Sequence, residues 1–233
     1  EDVGLLPYGA VEAASPIVSS GNPISNATSA LRDAWGTGTF WLLWGSFAVC
    51  GLSTTGLVQT HFLSAAHEHG MSHSQAGKYL AFIGIFDVVG TIASGWLTDR
   101  YDPRMLLAGY YLFRGLSLFV LDPALASGGR GLSGFIVFYG LDWVATVPPT
   151  IALCISIFGR DRGPLVYGWV FAGHQVGGAI AAWGAGLLHD LTGGYQPAFM
   201  IAGAACIAAA VSVTRIKPAS SSGRPVEPQL VTG

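Results

Sequence analysis

Four ionisable side chains stand deep inside apolar stretches of this chain: Asp87, Arg114, Asp142 and His174. An ionised group in hydrocarbon costs at least ~2.5 to 3.5 kcal/mol on insertion scales, so the positions where a sequence keeps such groups carry information. A buried guanidinium can hold an anion by charge and forked hydrogen bonds, and a desolvated carboxylate or imidazole can take up and release a proton. The same groups can also neutralise one another in ion pairs that only serve packing, and residue types alone leave both uses open.

The elements that must position them are hydrophobic segments at 39–63, 77–97, 105–122, 132–158, 164–188 and 197–214. Most are near the ~20 residues that a helix needs to span a bilayer, which predicts an all-α integral membrane protein with six transmembrane helices. Asp87 and Asp142 lie ten residues into the second and fourth helices, Arg114 about nine into the third and His174 ten into the fifth. Each is therefore roughly 14 to 15 Å from a helix end, and half the hydrocarbon core is ~15 Å. The four share one level, the depth at which secondary transporters bind solute and coupling ions.

Composition supports a bilayer as solvent. Charged residues make up 10% of the chain and mean hydropathy is +0.51, too few charges to cover a surface in water. Glycine contributes 33 residues, about twice the usual ~7% share, which suits closely approaching membrane helices. With a net charge of −2 and no basic stripe, nucleic acid is not an expected partner. Cys50, Cys154 and Cys206 lie in apolar stretches without paired spacing and read as packing residues. His67, His69 and His73 form an outer loop without Cys or Asp ligands at settled spacing, so neither a metal site nor a cofactor is expected. Residues 1–38, rich in Gly, Pro, Ser and Asn, read as a polar linker, 39–214 as the transmembrane domain and 215–233 as a disordered tail. No signal peptide is visible, and the start at Glu1 looks like a cut.

Basic residues in short loops are retained in the cytoplasm. Assigning linker, second and fourth loops and tail to that side collects Arg32, Arg100, Arg104, Arg160, Arg162, Arg215, Lys217 and Arg224, against Lys78 and Arg130 opposite. Both termini are then cytoplasmic, which requires an even helix count, and the expected setting is a bacterial inner membrane.

The loop after the second helix reads Gly95-Trp-Leu-Thr-Asp99-Arg100-Tyr-Asp102-Pro-Arg104. It resembles the loop signature of the major facilitator superfamily, with Gly95, Asp99, Arg100 and Arg104 in place, Asp102 where that pattern has glycine and Pro103 where it has a basic residue. Asp99 at a helix end can hold an ionic latch with a basic residue on a neighbouring helix, and Gly95 can let that neighbour approach. The opening Glu1-Asp-Val-Gly-Leu-Leu-Pro-Tyr-Gly9 resembles the linker between the two six-helix halves of monocarboxylate-type and oxalate/formate-type members. The resemblance implies the C-terminal half of a twelve-helix secondary transporter, partnered by a missing N-terminal half, carrying a small solute such as an organic anion with a coupling proton. Asp87, eight residues before Gly95, matches the aspartate that takes part in proton-linked transport in monocarboxylate-type members. The arginine one turn later there is Thr91 here, and the fifth-helix lysine of oxalate/formate-type members has no counterpart unless His174 substitutes.

Other readings stay open. Pro148 and Pro149 after Asp142 predict a kink that either lines a cavity or is structural. Gly173, Gly177, Gly178, Gly184 and Gly186 on the fifth helix predict close packing, while Gln59, Thr54 and Thr55 on the first can line a cavity. A non-transporting sensor or scaffold on the same fold is the alternative to a transporter. Ala93-Ser94-Gly95 with His174-Gln-Val-Gly177 resembles the serine and histidine helices of rhomboid proteases, but Ser94 and His174 stand at different depths, so no enzyme is expected.

Overall fold

The computed structural model of the chain describes residues 22–127 and 131–217; the rest of the expected linker and tail, with Arg130 and Arg224, lies outside the described residues. The described residues are almost wholly helical. Part of the expected linker is α1 (Pro23–Trp35): Asn22 accepts from the Ile24 N–H at 3.0 Å and Pro23 fills the first turn. Its signal was hidden because Thr28 and Ser29 bond back onto helix carbonyls and only Ala30 and Ala34 are buried. The Trp169 indole donates to the Ala27 carbonyl at 2.9 Å, and Asp33 pairs with Arg162, which docks α1 on the start of the fifth span.

The first span combines α2 (Gly38–Gly51), a π-helical stretch (Leu52–Gln59) and α3 (Thr60–Glu68). The second is α4 (His73–Thr98), capped by Ser72, and the third is α5 (Pro103–Ala126), capped by Asp102. The fourth is broken into α6 (Leu132–Asp142) and α7 (Val147–Phe158). The interruption expected after Asp142 is the turn 143–146, and Pro148 and Pro149 sit just beyond it in the first turn of α7, where a missing N–H costs nothing. The last two are α8 (Gly163–Thr192) and α9 (Gln196–Val213). Among the described residues, five spans are long and apolar enough to cross a membrane; α8 has 30 residues, but its glycines and the His174-Gln175 pair lower its hydropathy.

Glycine sets two of the interfaces. A Cβ on Gly177 would strike the Ala48 carbonyl and one on Gly51 the His174 carbonyl, so α2 and α8 pack backbone to backbone. One on Gly90 would strike the Leu141 carbonyl, which seats α4 against the end of α6. Gly184 meets nothing, so the expected small-residue surface of α8 packs mainly through Gly173, Gly177 and Gly178.

The apolar core falls into two clusters. Leu118, Leu121, Leu57, Phe62, Phe135, Tyr139, Ala181 and Phe199 belong to one. Leu107, Tyr111, Phe40, Phe47, Leu153, Val170 and Val213 belong to the other. Along α5 the clusters change over at Arg114, along the fourth span at Asp142 and along α8 at His174. The three groups therefore share one level in the packing, as the helix counting predicts.

Candidate functional site

Breaking a helix frees backbone groups that hydrocarbon cannot satisfy, and here side chains from three spans take them up. From α5, the Arg114 Nη2 donates to the carbonyls of Asp142 at 2.5 Å and Trp143 at 3.1 Å. From α4, the Asp87 Oδ1 accepts from the Val144 N–H at 2.9 Å, and the Ser94 hydroxyl donates to the Ala145 carbonyl at 2.6 Å. On α7 itself Thr150 bonds the Thr146 carbonyl at 2.6 Å, and from α2 the Cys50 thiol contacts the Thr146 hydroxyl at 3.3 Å.

Arg114 completes this clamp with an ion pair, its Nε donating to Asp142 Oδ2 at 2.6 Å and its Nη1 to Cys50 Sγ at 3.0 Å. Four of its five N–H donors thus have partners, and its side chain has 0% exposure. The guanidinium also lies 5.8 Å from the Tyr111 ring centroid, within cation–π range. In this conformation it has no fork to offer a solute. Asp142 is 5% exposed, and its second oxygen, Oδ1, is buried without a partner among the described residues, as is the Tyr111 hydroxyl.

Asp87 is half-buried, with Thr91 donating to the Oδ1 that also takes Val144, at 3.2 Å. His174 joins the layer from the opposite side: its backbone abuts Gly51, its imidazole interacts with the Cys50 side chain and bonds Gln175 Oε1 at 3.2 Å, and it stacks on Phe171. The four predicted residues thus converge around the break, with Cys50 linking His174 to Arg114. Sequence reasoning assigned Cys50 to packing, and a lone thiol gave no signal otherwise. It also missed the π-helix, which frees the Ser53 carbonyl for the Tyr139 hydroxyl at 2.7 Å. Ser94 is committed to the break and His174 to Cys50 and Gln175, so the two do not form a nucleophile and base pair.

In the loop motif, Arg100 folds over the Trp96 ring at 4.1 Å, and Asp99 has no ion-pair partner among the described residues. A Cβ on Gly95 would meet nothing within 4 Å, so no neighbour among the described residues uses the space it leaves. The tie is made by Asp102, the substituted position. It caps the Arg104 N–H at 2.9 Å and grips the guanidinium, whose Nη1 reaches the Ile216 carbonyl beyond α9 at 3.1 Å. Those Arg104 hydrogen bonds hold the Asp102 carboxyl below its ordinary pKa.

At the opposite end, His189 meets Glu68 at 2.5 Å and His69 lies 3.7 Å from Asp122, joining the ends of the first, third and fifth spans. The hydrogen bond to Glu68 raises the pKa of His189. His67 stacks on His73 at 4.5 Å, and among the described residues no cluster suits a metal ion.

No model of a known protein family matches the sequence. Among curated proteins, the chain is 31% identical over 158 residues to an uncharacterised MFS-type (major facilitator superfamily) transporter, YcxA, of Bacillus subtilis, covering 66% of this chain and 38% of that protein. It is 32% identical over 168 residues to monocarboxylate transporter 12 of Rattus norvegicus, 70% of this chain and 34% of that one. Monocarboxylate transporter 13 of Rattus norvegicus is 31% identical over 150 residues, 64% and 35% of the two chains. The chain thus spans little more than a third of the length of these relatives, which are transporters and not enzymes. Its fold matches the fucose:proton symporter FucP of E. coli, with a TM-score of 0.66 at 20% identity over 85% of this chain and 47% of that one.

Proposed function

We propose that this chain is a six-helix half of a major facilitator superfamily protein, a reading its fold and relatives support, and that it works in secondary transport of a small organic acid coupled to a proton. The carrying observation is the charged layer: Asp87, Arg114, Asp142 and His174 converge around a broken helix halfway along the spans. Monocarboxylates are suggested as the solute class by the relatives named for them.

Within this reading the charged residues divide their work. Asp87, half-buried and bonded to the N–H of Val144, carries the coupling proton: as a carboxylate it holds the break, and once protonated it loses the charge that strengthens that bond. Arg114 and Asp142 hold the framework, and His174 tunes it through Cys50. The six helices form the C-terminal half, with both termini in the cytoplasm of a bacterial inner membrane, 1–38 leading in from an N-terminal half and 215–233 trailing as a tail. Gly95, Asp99 and Arg100 then face that other half, which supplies the latch partner Asp99 lacks here.

The test is uptake by full-length protein in vesicles, screened over short-chain organic acids with and without an inward proton gradient. Accumulation that follows the gradient supports the proposal. Absence of flux for every acid would favour a sensor on the same fold.

A further inference from the structure

Between the last turn of the π-helix, α4 and the break lies a cleft of about 190 Å³ lined by Gln59, Leu80, Ile83, Gly84, Asp87 and Trp143. It is roughly the space of a molecule of several non-hydrogen atoms. Three features fix its chemistry. Asp87 contributes a carboxylate whose Oδ1 is taken by Val144 and Thr91, while Oδ2 takes no hydrogen bond from the described residues. The cation nearest to it in the layer, Arg114, is sealed behind the break with no exposed side-chain surface, and Asp142 from α6 already pairs with it. Thr91, one turn beyond Asp87, brings a hydroxyl and no charge. The lining is completed by the exposed Gln59 amide, able to donate and accept, and by the Trp143 indole.

While Asp87 is ionised, a free carboxylate entering this cleft would meet a like charge with no cation available, whereas an O–H or N–H donor would find an anionic acceptor with an unused oxygen. We infer that this cleft is a solute subsite selective, while Asp87 is ionised, for small uncharged hydrogen-bond donors, with Gln59 and Trp143 setting specificity, so that an organic acid is held here together with one proton, which it shares with Asp87 and leaves there as the coupling proton. The inference rests on the transport reading and adds to it the charge state of the solute at this half. It also gives the solute a handle on the hinge, since Trp143 is the first residue of the break.

The probes are propionamide, uncharged at every pH, propionic acid, and ethanesulfonate, an anion at every pH. Their binding to purified full-length protein is measured by calorimetry in mildly acidic and mildly alkaline buffer. Propionamide is expected to bind in both, propionic acid only in the acidic one, and ethanesulfonate in neither. Gln59→Leu should weaken propionamide about tenfold, and Gln59→Lys, which places a cation in the cleft, should admit ethanesulfonate. Ethanesulfonate binding the unmodified protein as well as propionamide does, or selectivity unmoved by Gln59→Lys, overturns the inference. If none of the three binds, the subsite is likewise overturned, and organic-acid flux persisting in vesicles would leave the transport reading standing.

Discussion

Asp142→Asn removes a charge and almost no volume, so it isolates the ionic part of the clamp on the broken fourth span. The pair it breaks has a side-chain exposure of 0% for Arg114 and 6% for Asp142, so solvent screens it little. Removing one partner of a buried pair costs about 3–5 kcal/mol, because the remaining charge stays uncompensated. For a protein of this size that is about 6–20 °C in melting temperature. Arg114→Met should be worse. It leaves the Asp142 charge unpaired and also strips the donor from the carbonyls of Asp142 and Trp143, at about 1–3 kcal/mol for each orphaned group. The informative variant is the double change Arg114→Met with Asp142→Leu, which removes both charges and still orphans the carbonyls. It should melt above Arg114→Met alone and below the unmodified protein. The assay is thermal unfolding of full-length protein in detergent, followed by the loss of a monodisperse species. Tolerance of Arg114→Met within the error of the melting temperature, or a double variant no more stable than Arg114→Met, would refute the clamp.

Further outcomes follow from groups away from the layer. His189 has a raised pKa through Glu68, so that contact contributes stability that is complete below the ordinary histidine value of 6.5 and disappears as pH rises through the higher folded value. Melting temperature should fall across that interval in the unmodified protein and flatten there in Glu68→Gln. Gly90→Ala pushes a methyl into the Leu141 carbonyl and should lower the melting temperature, while Gly95→Ala should leave it unchanged and alter only the transport rate. Asp102→Ala removes the α5 cap and the fork that holds Arg104 toward Ile216, costing about 1 kcal/mol through the cap, measurable by the same unfolding assay.

Much of this was legible in the sequence because hydropathy in lipid is a strong constraint: every span was found, with boundaries shifted by up to five residues. The shared level of Arg114, Asp142 and His174 followed from counting residues along helices. Partners were not legible, because they depend on which helix faces which. Cys50 became a member of the layer only when the α2 and α8 backbones met at Gly51, and Ser94 reached Ala145 only because Gly90 lets α4 sit against α6. The prolines pointed to an interruption of the fourth span just after Asp142, where the turn 143–146 lies, although Pro148 and Pro149 themselves start α7 and do not sit in the break. Helix α1 was missed because hydroxyl and amide side chains masked a segment held by two alanines and a cap.

The most direct test compares net uptake with equilibrium exchange of a transported acid in vesicles bearing Asp87→Asn. If Asp87 carries the coupling proton, an amide that cannot release one should abolish accumulation driven by the pH gradient while exchange of solute for solute persists. Gradient-driven accumulation at the unmodified rate, or equal loss of both modes in a well-folded variant, would contradict that role.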